Sequence, residues 1–271
     1  MIDQRIVRVG IEIDGVLHRY EGLRVKASGT KYTNPTQNDC NITVTGLKAS
    51  TRDFILGACN PFKPSSKAPR VTLEVGRQTL GYFTLFIGDV TEAEITMPPD
   101  IDLVMKCKTN NQSNAKIIST SGGQRTNLRQ LAEQCAKNNG LGLTFQAVNK
   151  NISNYQFIGS AAEQIRSLQR IGNVDCFVDD GQLIVKDAGS ALKDRVRILN
   201  MNSGMVGIPK ATDKGVQVQY LVDAESQLGG TLRLESKFNK TLSGDYTITE
   251  LKFNIDTHGD NFFYTATGVR Q

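Results

Sequence analysis

The sequence predicts a mainly β protein with a small α+β insert, in which two β-barrel-like domains flank a helix–strand domain. Three observations predict it. Strand-period alternation broken by glycine turns fills residues 1–112 and again 191–271. Helical spacing with recognisable caps is confined to residues 113–190. At 39% hydrophobic and 22% charged over 271 residues, the composition is that of ordinary globular protein.

The first segment is expected to be antiparallel strands. In "IVRVGIEIDGVLHRY", Val7, Val9, Ile11 and Ile13 share one face and Asp14-Gly15 supplies a tight turn. "RVTLEVGRQTLGYFTLFIGDV" repeats the device around Gly76-Arg77-Gln78, and "PPDIDLVMKCKT" puts Ile101, Leu103, Met105 and Cys107 on one face. A short helix interrupts them at "FILGAC", with Ser50 and Asp53 at capping spacing. "NPFKPSSKAP", residues 60–69, holds three prolines and reads as an irregular loop.

The middle segment carries two helices. In "TNLRQLAEQCAKNNG", Leu128, Leu131, Ala132, Cys135 and Ala136 lie on one face, with Thr126 or Asn127 as start and Gly140 as stop. In "SAAEQIRSLQRIG", Ser160 and Glu163 form a capping box, Ile165 and Leu168 face inward and Gly172 closes the helix. A strand follows each helix, the second being a hairpin through Asp180-Gly181. The two units recur about 32 to 33 residues apart, a weak internal repeat too short for a solenoid.

The last segment returns to alternation at Val216, Val218 and Tyr220, at Leu232 and Leu234, and at Leu251, Phe253 and Ile255. Turns are expected at Gly229-Gly230, Ser243-Gly244-Asp245 and His258-Gly259-Asp260. Such spacing suggests a small closed sheet that hides its own edges.

Bulk properties exclude several classes. No run of 18 apolar residues offers a membrane anchor, and the alternating N-terminus offers no signal peptide, so assembly in a cytoplasm is expected. The five cysteines, Cys40, Cys59, Cys107, Cys135 and Cys176, are scattered without C-x-x-C spacing, as buried thiols would be. The net charge of +5 is diluted along the chain: 14 basic and 12 acidic residues in 1–110, 8 and 6 in 111–190, 10 and 9 in 191–271. No basic run lies ready for phosphates, and specific nucleic-acid binding is not expected.

The sequence offers no catalytic, cofactor-binding or metal site. His18 sits in an early strand; His258, beside Asp256 and Asp260, sits in a turn where Asp and Gly serve the backbone. The carboxylate pairs Asp179/Asp180, Asp100/Asp102 and Asp223/Glu225 fall in a hairpin turn or at strand ends. No G-x-S-x-G, P-loop or H-E-x-x-H is present. "TSGGQRT", residues 120–126, reads as a flexible linker into the middle domain rather than an anion cradle at a helix start. There is no tryptophan, and the seven tyrosines do not cluster.

Three stretches nevertheless resemble, in order, the central hub proteins of phage tail baseplates: "FTLFIGDVTEAEITMPPDIDLVMKC" (83–107), "SAAEQIRSLQRIGNVDCFVDDGQLIVKD" (160–187) and "GMVGIPKATDKGVQVQYLVDAESQLGGTLRLES" (204–236). The resemblance implies a non-enzymatic virion protein without cofactor, two barrels per subunit and a trimeric ring. Its six barrels would meet the hexameric tail tube, and its other face a threefold spike or central fibre. The first barrel would face the tube. Tube or distal tail proteins and the spike are then partners, with room for the tape-measure protein and a baseplate wedge. Contact elements expected by position are the 60–69 loop, the turn "DTHGDNFF" and the run Phe262-Phe263-Tyr264, the last equally readable as alternating core and surface. The rivals are a tail-tip cell-wall hydrolase, which would need Asp179 or Asp180 in a cleft, and a single-strand-binding barrel, which would need a basic groove with aromatic platforms. No segment is left over for a fused lytic module.

Overall fold

Alternation of apolar and polar residues decides which strands form and which face they bury. The structure, a computed structural model, describes residues 3–13, 15–35, 37–62, 68–114, 116–193 and 195–271. Asp14 of the first expected turn and residues 63–67 of the proline-rich loop lie outside the described residues.

The N-terminal segment comprises β1 (Arg5–Ile13), β2 (Val16–Glu21), β3 (Arg24–Tyr32), β4 (Asp39–Thr45), α1 (Ala49–Ala58), β5 (Arg70–Arg77), β6 (Gly81–Ile95), β7 (Asp102–Lys108) and the short α2 (Asn111–Asn114). Val7, Val9 and Ile11 are buried as their period-2 spacing requires, and so are Leu103, Met105 and Cys107. The long strand β6 changes partner along its length: residues 81–89 pair with β5, and residues 89–95 pair with β7. The helix α1 starts on Lys48, without a side-chain cap, rather than on the expected Ser50. Thr51 and Arg52 both donate to the Lys48 carbonyl at 3.1 Å, which closes the first turn two residues early and places Ser50 inside the helix.

The middle segment comprises β8 (Ile117–Ser121), β9 (Arg125–Asn127), α3 (Leu128–Asn139), β10 (Gly142–Gln146), β11 (Asn151–Ser153), β12 (Gln156–Ser160), α4 (Ala161–Gly172), β13 (Val174–Asp179) and β14 (Gln182–Asp187). Asn127 caps α3, its Oδ1 accepting from Gln130 N at 2.8 Å, and Gly140 ends it in the left-handed region. The Ser160–Glu163 capping box on α4 is complete. Gly172 is the last helical residue rather than the stop, and Asn173, at φ 42°, is the left-handed cap. The pair β8–β12 and the pair β9–β11 form two-stranded ribbons, and β10-β14-β13 form a three-stranded sheet under the helices.

The C-terminal segment comprises β15 (Val196–Leu199), β16 (Met205–Thr212), β17 (Gly215–Leu221), β18 (Thr231–Leu234), a 3₁₀ turn (Lys240–Leu242), β19 (Gly244–Asp256) and β20 (Phe262–Arg270). The turn expected at 243–245 falls earlier, because Asp245 is held in β19 by a paired Arg233 across the ladder at 2.8 Å.

Strand pairing adds what periodicity does not show. The two terminal β segments belong to one 13-stranded sheet, with path β16-β17-β20-β19-β3-β4-β7-β6-β5-β1-β2 and β18 and β15 attached beside β19. The β3–β19 ladder, Lys26–Tyr32 against Glu250–Asp256, is the join. Among the described residues no ladder closes either segment into a separate barrel. A bulge between Ile248 and Glu250 marks the point where the edge of β19 passes from β18 to β3.

Candidate functional site

The hairpin β13–β14 joins the insert to the large sheet, and both of its faces are buried. Cys176, Leu183 and Val185 belong to the small core under α3 and α4, whereas Phe177 and Ile184 belong to the large core of the terminal segments. A two-residue turn of Asp180 (φ 45°) and Gly181 (φ 78°) joins the strands, as their type predicts.

Charge and amides complete the seam. Lys31 on β3 is only 4% exposed, and its Nζ donates to Asp180 Oδ1 and Oδ2 at 2.8 and 2.9 Å. The same Nζ lies 2.9 Å from Asp179 Oδ1, out of hydrogen-bonding line. Burial works against the ammonium, yet the two carboxylates outweigh it and raise its pKa. Burial also pushes the Asp180 carboxyl up to about 7, reinforced by Asp179 and opposed by Lys31. Beside this cluster, Asn38 Nδ2 donates to the Val178 carbonyl at 3.0 Å while its Oδ1 accepts from Tyr32 N. On the same hairpin, Lys186, itself buried, pairs with Asp175 at 2.6 Å.

This arrangement bears on Asp179 and Asp180 as candidate acids. Both converge on one ammonium and line a small cavity of about 220 Å³, so their charges are engaged in joining two parts of the fold. The Asp223/Glu225 pair is engaged as well. Asp223 and Glu225 grip Arg197 at 2.9 and 3.1 Å, and Asp223 Oδ1 also accepts from two backbone amides of its own turn. Asp100 and Asp102 flank the β6–β7 turn, where Thr96 Oγ1 donates to the Asp100 carbonyl and accepts from Asp102 N.

The histidines are similarly placed. His18 is exposed on β2. His258 N donates to Asp256 Oδ1 at 2.9 Å, and its ring Nδ1 meets Thr257 Oγ1 at 2.8 Å, so the turn binds itself. Among the described residues no group of three or more His, Cys, Asp or Glu is disposed to hold a metal. Cys40, Cys107, Cys135 and Cys176 are buried free thiols, with Cys135 pushed up to about 12 by burial.

One contact candidate and one expected linker change meaning. Phe262 and Tyr264 are core residues, Tyr264 packing edge-on to Tyr220 with ring centroids 5.6 Å apart. The Gly122-Gly123 stretch is a packed β8–β9 connection rather than a free linker, since Gly122 N donates to the Tyr155 carbonyl at 2.7 Å. The first amides of α3 are already taken, by the Lys150 carbonyl and by Asn149 and Asn127 Oδ1, which leaves no anion cradle there.

Exposed apolar side chains are spread over the molecule, Phe62, Leu80, Ile117, Val148 and Ile158 among them; two groups lie close in sequence or space, Ile95 (51%) and Met97 (87%) at the β6–β7 turn, and Ile208 (56%) and Phe238 (68%) on the outside of the C-terminal segment.

The fold is that of phage tail proteins. It is similar to the 43 kDa tail protein of prophage MuSo2 from Shewanella oneidensis (TM-score 0.64, 11% identity, 97% of this chain and 98% of that one). It is similar also to the tail protein from Neisseria meningitidis MC58 (TM-score 0.63, 8% identity, 97% and 96%). A third likeness is to the E. coli c3393 protein, described as a type VI secretion component structurally similar to T4 bacteriophage tail proteins gp27 and gp5 (TM-score 0.61, 9% identity, 96% and 76%). No curated protein matches the sequence. The sequence matches the family model described as baseplate hub gp41 over residues 6–268, and the chain belongs to that family. It is therefore a structural component of a phage tail baseplate. No described helix is long and apolar enough to cross a membrane.

Proposed function

We propose that three copies of this chain form a ring that joins the hexameric tail tube to a threefold spike or central fibre, with residues 1–112 and 191–271 as the two β modules of each subunit and the N-terminal one toward the tube. Residues 113–190 brace the pair. A symmetry adapter of this kind needs two similar modules held at one fixed angle, so that three subunits present six. The β3–β19 ladder carries the reading, because it makes the two segments one hydrogen-bonded sheet that cannot swivel about a linker. Closed rings use heterologous contacts, in which two different patches of the same subunit meet. The partners follow: tube or distal tail proteins on one face, the spike on the other, and the tape-measure protein and wedge nearby. Assembly takes place in the host cytoplasm, and the protein works as a contact surface, without catalysis or cofactor.

Sedimentation velocity across a wide concentration range tests this. The expected species is a trimer, roughly three times the 29.7 kDa chain mass. A chain that stays monomeric at every concentration, and in the presence of its tube and spike proteins, sinks the ring.

A further inference from the structure

A ring of three copies, the reading on which this contact rests, requires two complementary patches on each subunit, and the structure holds such a pair. From Gln78 to Met105 the chain carries five carboxylates, Asp89, Glu92, Glu94, Asp100 and Asp102, and no Lys, Arg or His. Glu92 is paired with Lys106, and Asp89 is buried; Glu94 and Asp100 are exposed. They surround the β6–β7 turn, whose Ile95, Met97, Pro98 and Pro99 all face solvent. This is an acidic arm with an apolar tip.

The opposite character appears at the far end of the sheet path. Asn200 Nδ2 donates to Glu235 Oε2 at 2.9 Å, which ties the turn after β15 to the end of β18. The 3₁₀ turn packs against β16, bringing the loop of Phe238 to the same place. Ile198, Met201, Val206, Ile208 and Phe238 are exposed across this region. Around them stand exposed Lys210, Lys214, Lys237 and Lys240 against the carboxylates Asp213 and Glu235, while Asp223 and Glu225 by the Ile198 turn are already paired with Arg197. None of the four lysines is in an ion pair among the described residues.

Five strands, β17, β20, β19, β3 and β4, lie between β16 and β7. At about 4.8 Å per strand the two patches are roughly 25–30 Å apart along the sheet. They are distinct surfaces of one subunit, as a heterologous contact requires. We infer that the acidic β6–β7 arm of one subunit docks on the lysine-rimmed apolar patch of β16 and the Phe238 loop of the next copy. The apolar tip supplies buried area and the opposed charges fix register and partner.

Charge reversal tests the contact. Glu94→Lys with Asp100→Lys, and separately Lys210→Glu with Lys237→Glu, should each weaken self-association by about tenfold or more, since like charges then face each other. Combining all four should restore it, and wild-type association should weaken between about 50 and 500 mM salt. All four positions are exposed; circular dichroism checks that each variant folds, and the salt series stands if one does not. Reversal variants that keep the wild-type trimer, or a trimer indifferent to salt, overturn this contact and leave the ring intact. A wild-type chain that never associates with itself overturns the contact and counts against the ring as well.

Discussion

Lys31 is the residue on which the seam between the insert and the sheet depends. Its ammonium faces two carboxylates, so with both ionised the buried cluster carries a net negative charge, and one proton neutralises it. Asp180, pushed up to about 7 chiefly by burial and further by Asp179, gives the pair this proton-binding step. Its folded pKa lies above the unfolded value of about 4, so folding takes up a proton between the two. The stability this contributes is complete below about pH 4 and is lost as pH rises through about 7. Asp180→Asn removes the linked proton. Between pH 5 and 8 the unfolding free energy of the variant should therefore change less than that of the wild type, by about 1–2 kcal/mol given the partial exposure of the side chain. Urea unfolding at a series of pH values measures this, and parallel profiles for the two proteins would contradict it. The doublet Asp179-Asp180 was legible as a turn. Its partner Lys31 was not, because a contact across 149 residues leaves no local pattern.

At the scale of elements, the caps and hairpins were the most readable features. Asn127, the Ser160–Glu163 box and the Asp180-Gly181 turn act within a few residues, and local chemistry alone decides them. What failed was decided by neighbours: Lys48 displacing Ser50 at the start of α1, and the Gly122-Gly123 connection held by Tyr155. The β3–β19 join was invisible for the same reason, since period-2 alternation fixes a face and not a partner strand. That join has one sensitive position. Gly29 is paired with Cys40 on one side and Phe253 on the other. A methyl group there would run into the Asp39 carbonyl oxygen and lie 2.5 Å from Phe253 Cζ. Gly29→Ala should therefore destabilise the fold by about 1–3 kcal/mol, whereas a strand glycine in open space would gain slightly from the same change. Thermal unfolding decides it, and a midpoint equal to or above wild type would refute the tight packing at this junction.

For the whole molecule, the class of architecture was written in the order of its segments, β then helix–strand then β. The arrangement of those segments was not written there. Phe177 and Ile184 read as ordinary strand residues, yet they leave the insert's own core and enter the large one, locking three segments into a single body. Rigidity of this kind is what a subunit needs if two β modules are to meet six sites on a tube. Threefold assembly with two modules per subunit would be visible in the symmetry of the assembled particle. Cryo-electron microscopy of the purified assembly, averaged without imposed symmetry, should give a threefold ring with six similar β lobes on one face. A ring of any other order, or three lobes where six are required, would contradict it.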